Sequence, residues 1–212
     1  MDYLSLTLSG FEDNLARVKN LLAIYSVIER EGWQKEGIEK TDILRSATIF
    51  LHATLEEFLR GIALWKWPDS DEEILNRVPL IGFDKYGQPQ KFQLGKLAKH
   101  REKEVQRLIT ESVENYVNQW VNFSNTSQID EHLKSVGVEV DEKIKEFYDD
   151  LDELIGRRHK IVHQADRKEG FGRYGTDSIE LSDVERWVDV VGEFVSSVLD
   201  TFRPYVVKGR LF

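Results

Sequence analysis

The sequence predicts an all-α fold. Apolar side chains recur at three- and four-residue intervals through most of the chain, which is the period of a helix, and no stretch sustains the alternation of a half-buried strand. Three of the four prolines, with Gly82 and Gly87, fall in one stretch between periodic segments. A chain of 212 residues can bury a core without covalent staples, and this length predicts one domain over 1–212.

The first helix is expected from about Phe11 to Glu29, where Leu15, Val18, Leu21, Leu22, Tyr25 and Ile28 form one apolar face. A second runs from about Asp42 to Trp67, with Thr41 or Asp42 as its cap. It is apolar around so much of its surface that a central position is predicted, and Pro68 ends it. From Pro68 to about Leu94, Pro79, Pro89, Gly82 and Gly87 predict an irregular connection. Helical spacing resumes from Leu94 toward Phe123 through Leu108, Val113, Val117 and Trp120, and a short helix is expected over Ile129 to Val136. Asp141 can cap a further helix that carries Ile144, Phe147, Leu151, Leu154 and Ile155 directly into the run Arg158 to His163. After the charged, glycine-containing loop KEGFGRYGTDS, a last helix is predicted from Ser182, where Ser182 and Glu185 have capping-box spacing, to Pro204.

The chain has no Cys, so disulfides, thiolate nucleophiles and Cys-bearing zinc sites are excluded, and a reducing compartment fits. Neither a signal peptide nor a run of about 20 apolar residues is evident, so a soluble, cytoplasmic protein without membrane contact is expected. A formal charge of -9 disfavours broad attraction to nucleic acid, yet Arg157, Arg158, Lys160, Arg167 and Lys168 stand against the single acid Asp166. That leaves a local formal charge of +4, suited to phosphate.

On a helical wheel of about 100° per residue, Ile155, Arg158 and Val162 fall within about 40° of Leu151, so Arg158 is directed toward apolar neighbours. A guanidinium keeps its charge there and needs a counter-ion, a wet cleft or a subunit contact. His159 and His163, four residues apart, flank the same stripe. Imidazoles can take a proton from a ribose 2'-hydroxyl or give one to a departing 5'-oxygen, and an arginine can hold the phosphoryl oxygens as charge develops. Arg158 and His163 lie about 140° apart on their helix, an awkward span for one phosphate that pairing two such helices across a two-fold axis would relieve.

Other uses of these residues stay open. Basic side chains favour a helix C-terminus for structural reasons alone. The His159 and His163 spacing suits metal ligands, with Asp166 nearby, but there is no HExxH and no convincing third ligand, so no metal and no other cofactor is expected. Glu56 can turn inward to pair Arg158 or stay with Arg60. His52 is expected in the core, and His100 and His132 in solvent. Phe171 and Tyr174, beside Arg173, can stack on RNA bases or anchor their loop.

The run Arg158-His159-Lys160-Ile161-Val162-His163 resembles the motif of the HEPN superfamily, an arginine, a polar residue, three variable residues and a histidine. Within it the chain looks like the small bacterial ribonuclease-like members, the RiboL-PSP-HEPN type and its relatives. The placement of the motif after EKIKEFYDDLDELIG and the apolar helix LRSATIFLHATLEEFLRGIA extend the resemblance over nearly the whole chain. It implies a HEPN-like antiparallel helical bundle with additional short helices, and a metal-independent endoribonuclease assembled as a homodimer from two motif copies. Arg158 would stabilise the scissile phosphate, His163 would carry proton transfer, and His159 would orient or assist. Arg157, Lys160, Arg167 and Lys168 would bind RNA, and Glu56 would support the site. The implied products are a 2',3'-cyclic phosphate and a 5'-hydroxyl. An antitoxin or an antiviral-defence protein would be a further partner, but Ala165 stands where partner-modified toxins often carry Tyr. The alternative is a noncatalytic HEPN-type domain that binds RNA, a nucleotide or a protein.

Overall fold

The computed structural model describes residues 3–32, 40–80, 100–168 and 175–207, with side chains as far as residue 202. Its helices are α1 (Tyr3–Arg30), α2 (Thr41–Lys66), α3 (Glu72–Leu75), α4 (Val105–Trp120), α5 (Thr126–Ser135), α6 (Glu142–Lys145), α7 (Tyr148–Gln164) and α8 (Leu181–Val207), with a 3-10 turn at Trp67–Asp69. The protein is all-α: the described residues include no strand, and one isolated bridge joins Arg167 to Thr176.

Helix α2 is the axis of the bundle. Leu44, Leu51, Leu55, Leu59 and Ile62 are fully enclosed, and α1, α4, α7 and α8 all pack on it. α1 runs antiparallel to α2, as Phe11 meets Phe58 at 5.7 Å and Arg17 lies over the Phe50 ring. α7 is also antiparallel to α2, with Arg45 bonded to Asp166 near one end. α8 returns antiparallel to α7, through Phe147 on Phe194, and reaches the far end of α2, where Phe202 meets the edge of Trp65. Buried apolar residues from these elements form one contiguous cluster.

Several expectations are corrected. α1 begins at Tyr3 rather than near Phe11, because Leu4 and Phe11 are buried and Leu8 packs on the core, which carries the Ser- and Thr-rich first turns. Neither Thr41 nor Asp42 caps α2; both instead accept hydrogen bonds from Arg45. The helical reading from Leu94 shortens to Val105–Trp120 within the described part, and α5 starts at Thr126 because Asn125 caps it. Asp141 caps α6 as expected, accepting from Ile144 N at 2.9 Å, but the helix does not continue into α7. Phe147 N–H bonds to Ile144 O, a three-residue turn that divides the two helices while the Phe147 ring packs on Phe194. α8 starts at Leu181, one residue before Ser182, and Asp183 rather than Glu185 reaches back, to Glu180 N at 3.3 Å. It then passes Pro204, which forfeits one backbone bond, and ends at Val207.

His132 is the one histidine whose expected setting is overturned. It is buried, its ring stands edge-on to Phe123 at 4.8 Å, and its Nε2 lies 2.8 Å from Leu59 O. His52 is a core residue with Nε2 at 3.2 Å from Phe123 O. Among the described residues no helix is long and apolar enough to cross a membrane.

Candidate active site on helix α7

The apolar stripe of α7 opens as it approaches its C-terminus. Leu151 and Ile155 are buried, Arg158 one turn further is partly covered, and Val162 is 44% exposed. The same face therefore begins as core and ends as surface, and Arg158 sits at the transition.

The two adjacent arginines have opposite surroundings. Arg157 is committed within the fold: its Nη2 lies 2.8 Å from Asp166 Oδ2, 3.1 Å from Asp177 O and 2.9 Å from Ser178 O. Arg158 forms no hydrogen bond or ion pair among the described residues, and its Nε is shut off from solvent. The charge of Arg158 is felt by His52 across the α2–α7 contact. Burial first, then Arg158 and Arg60, push the His52 imidazole below its ordinary value, with Glu56 opposing.

Glu56 does not pair with Arg158. Its carboxylate accepts from Phe123 N at 3.3 Å and lies 3.7 Å from Arg60 Nη2 and 3.8 Å from His52 Nδ1. Of the two partners weighed from the sequence, it is Arg60, within the same helix, that Glu56 meets.

His159 and His163 are exposed, with ring centroids 4.6 Å apart. A surface cleft of about 490 Å³ lies beside His163 and is lined by Val162, Gln164, Ala165, Arg167 and Lys168 as well. Arg167 and Lys168 are exposed at its edge, whereas Lys160 is bonded to Asp177, whose carboxyl is held below its usual range by that contact. Among the described residues no group of three or more acidic, His or Cys side chains is arranged to hold a metal. Phe171, Arg173 and Tyr174 lie outside the described residues.

The arrangement thus sets His163, Arg167 and Lys168 around the cleft at the end of α7, with Arg158 and His159 in the preceding turn of the helix, and leaves Arg157, Lys160 and Glu56 engaged elsewhere. Arg45 was missed. It is 7% exposed on α2, and its Nε bonds Asp166 Oδ2 at 2.7 Å. The available signal was the polar series Thr41, Arg45, Thr48, His52 and Glu56, spaced at three and four residues along a helix otherwise built for burial. Such a stripe marks the side from which a charged partner approaches, here α7 and the turn after it.

No curated protein and no solved structure matches the chain. The family model for RiboL-PSP-HEPN matches residues 12–203, which takes in α2, the whole of α7 with its motif, and most of α8, so the chain belongs to the RiboL-PSP-HEPN family of the HEPN superfamily.

Proposed function

We propose that this protein is a metal-independent endoribonuclease that cuts RNA by attack of the ribose 2'-hydroxyl, with Arg158 and His163 as its essential pair. The observation that carries this reading is the guanidinium of Arg158, without a partner among the described residues and partly withdrawn from water, on the helix that also carries the exposed His159 and His163. Holding a cation without a counter-ion on a core-facing stripe is unfavourable, and a phosphate would satisfy it. Membership of a family with ribonuclease-type relatives supports the same reading.

The chemistry follows from the groups present. A neutral imidazole, His163, takes the proton of the 2'-hydroxyl as that oxygen bonds to phosphorus. Arg158 stabilises the charge that accumulates on the non-bridging oxygens. The bond to the 5'-oxygen then breaks, and a protonated imidazole returns a proton to it. His159, in contact with His163, orients or assists. Arg167 and Lys168 steer the backbone toward the cleft, and Arg157 and Lys160 contribute positive potential from behind their ion pairs. The emergent stripe of Arg158 and Val162 suits contact with a second copy, giving a homodimer with a site composed from both. A toxin or antiviral-defence role in the cytoplasm, with an antitoxin or other defence-system protein as partner, completes the reading.

The test is cleavage of a mixed-sequence single-stranded RNA in EDTA by wild type, Arg158→Met and His163→Ala, with product ends analysed. Cleavage by wild type alone, leaving cyclic-phosphate ends, is expected. Arg158→Met should also fold at least as stably as wild type, gaining about 1 kcal/mol or less, since it exchanges an unpaired cation for an apolar side chain. Equal cleavage by all three would remove Arg158 and His163 from the chemistry. Binding without cleavage by wild type would favour the noncatalytic HEPN-type module.

A further inference from the structure

The six-residue motif is bracketed by a buried ion pair. Arg157 precedes it, Asp166 follows His163 by three residues, and the two side chains meet at 2.8 Å on the Asp166 Oδ2 atom. That oxygen also accepts from Arg45 Nε of α2, and Asp166 is 0% exposed. Arg45 extends the connection through Nη2 to Thr176 Oγ1 at 2.7 Å and Asp177 O at 2.9 Å. Asp177 N returns to Asp166 O at 2.9 Å, which draws the two ends of the following loop together.

The backbone here is held against its preference. Ala165 and Asp166 have φ of 51° and 54°, left-handed values that cost a non-glycine residue free energy and persist only where contacts enforce them. His163 itself stands in the last turn of α7, the part of a helix with fewest internal bonds. Left alone, that turn would fray and the imidazole would wander.

We propose that Asp166, gripped by Arg45 and Arg157, is a positioning residue for RNA cleavage: it locks the final turn of α7 so that His163 keeps its orientation relative to Arg158 and His159. This rests on the ribonuclease reading. The geometry favours positioning because the clamp spans the motif from the residue before Arg158 to the turn after His163, and anchors both flanks to α2. A misplacement of the order of 1 Å in a proton-transferring group costs about a hundredfold in rate, so the setting of this turn bears directly on turnover.

The test compares full-length wild type, Asp166→Asn and Arg157→Lys by circular dichroism, by single-stranded RNA cleavage with kcat and KM separated, and by the nuclear Overhauser effect between the His159 and His163 rings, 4.6 Å apart between centroids. The folded variants are expected to lose about tenfold or more in kcat with KM nearly unchanged, and to lose the ring-to-ring effect. A folded variant of lower melting temperature that keeps both the wild-type kcat and the ring contact would overturn the proposal. Should Asp166→Asn fail to fold, Arg157→Lys, which keeps the charge and loses the planar fork, decides by the same readouts. If wild type cuts no RNA, the ribonuclease reading falls separately, and the ring contact in the variants still decides whether the clamp sets this turn.

Discussion

At the scale of single residues, His132 contributes a buried imidazole that resists protonation. Desolvation pushes its imidazole down to about 4 from an ordinary value of 6.5, against the small opposing effect of the Leu59 carbonyl. The unfolded chain therefore binds a proton that the folded protein refuses throughout the interval between those values. Stability is full above the unfolded value and falls as pH drops below it, until the folded imidazole also protonates near 4. His52, lowered in the same direction, adds to the effect. Between pH 7.5 and 5.5 the loss from His132 should be about 1 kcal/mol, or a fall of about 2–4 °C in melting temperature. In His132→Gln, which keeps an N–H near the Nε2 position and does not titrate, the difference between the two pH values should shrink. An unchanged difference would place the acid sensitivity elsewhere.

At the scale of elements, α1 and α2 approach each other closely at Gly61. A Cβ built on Gly61 would stand 2.3 Å from Thr7 Oγ1, 2.4 Å from its Cγ2 and 2.9 Å from its Cβ. Ala is the better helix former by about 1 kcal/mol, so propensity alone favours Gly61→Ala. Overpacking should win, because Thr7 cannot swing its own Cβ aside, and a net loss of about 1–3 kcal/mol is expected in chemical denaturation. Adding Thr7→Ala should recover only part of it, as the Thr7 Cβ position remains crowded. Stability equal to wild type in the single variant would mean that the helices can separate at no cost.

The same scale explains what was legible in the sequence. α2 could be read because its apolar density and Pro68 are local signals, and the cap at Asp141 because its partner is three residues away. The α6–α7 division could not, since no Gly or Pro marks it and the contact that accompanies it, Phe147 on Phe194, is long-range. Within the site, Arg158 and the two histidines stood out by their spacing. Arg45 did not, because its polar stripe on α2 signals that a partner approaches without saying which, and Asp166 lies 121 positions away in the sequence. For the same reason Arg157 and Arg158 look alike in the sequence and differ in the fold.

At the scale of the whole molecule, the proposed ribonuclease chemistry requires an acidic chain to bring one arginine and one histidine, set about 140° apart on a helix, to a single phosphate. If Arg158 of one copy serves the same site as His163 of its partner, each of the two sites in a dimer takes one group from each chain. Two inactive variants then complement each other. A heterodimer of Arg158→Met with His163→Ala contains one site with both groups intact and one site with neither. Random association makes half of the dimers mixed, and half of the sites in those are complete, so roughly a quarter of wild-type activity should return on co-expression. The purified heterodimer, selected with two different tags, should reach roughly half. If each chain instead supplies both groups of its own site, every site in the mixed dimer lacks one of them, and activity stays at the level of the parents. Heterodimers demonstrated by native mass spectrometry yet inactive would therefore refute the division of labour between copies. Restored cleavage would assign Arg158 and His163 to one phosphate from opposite chains.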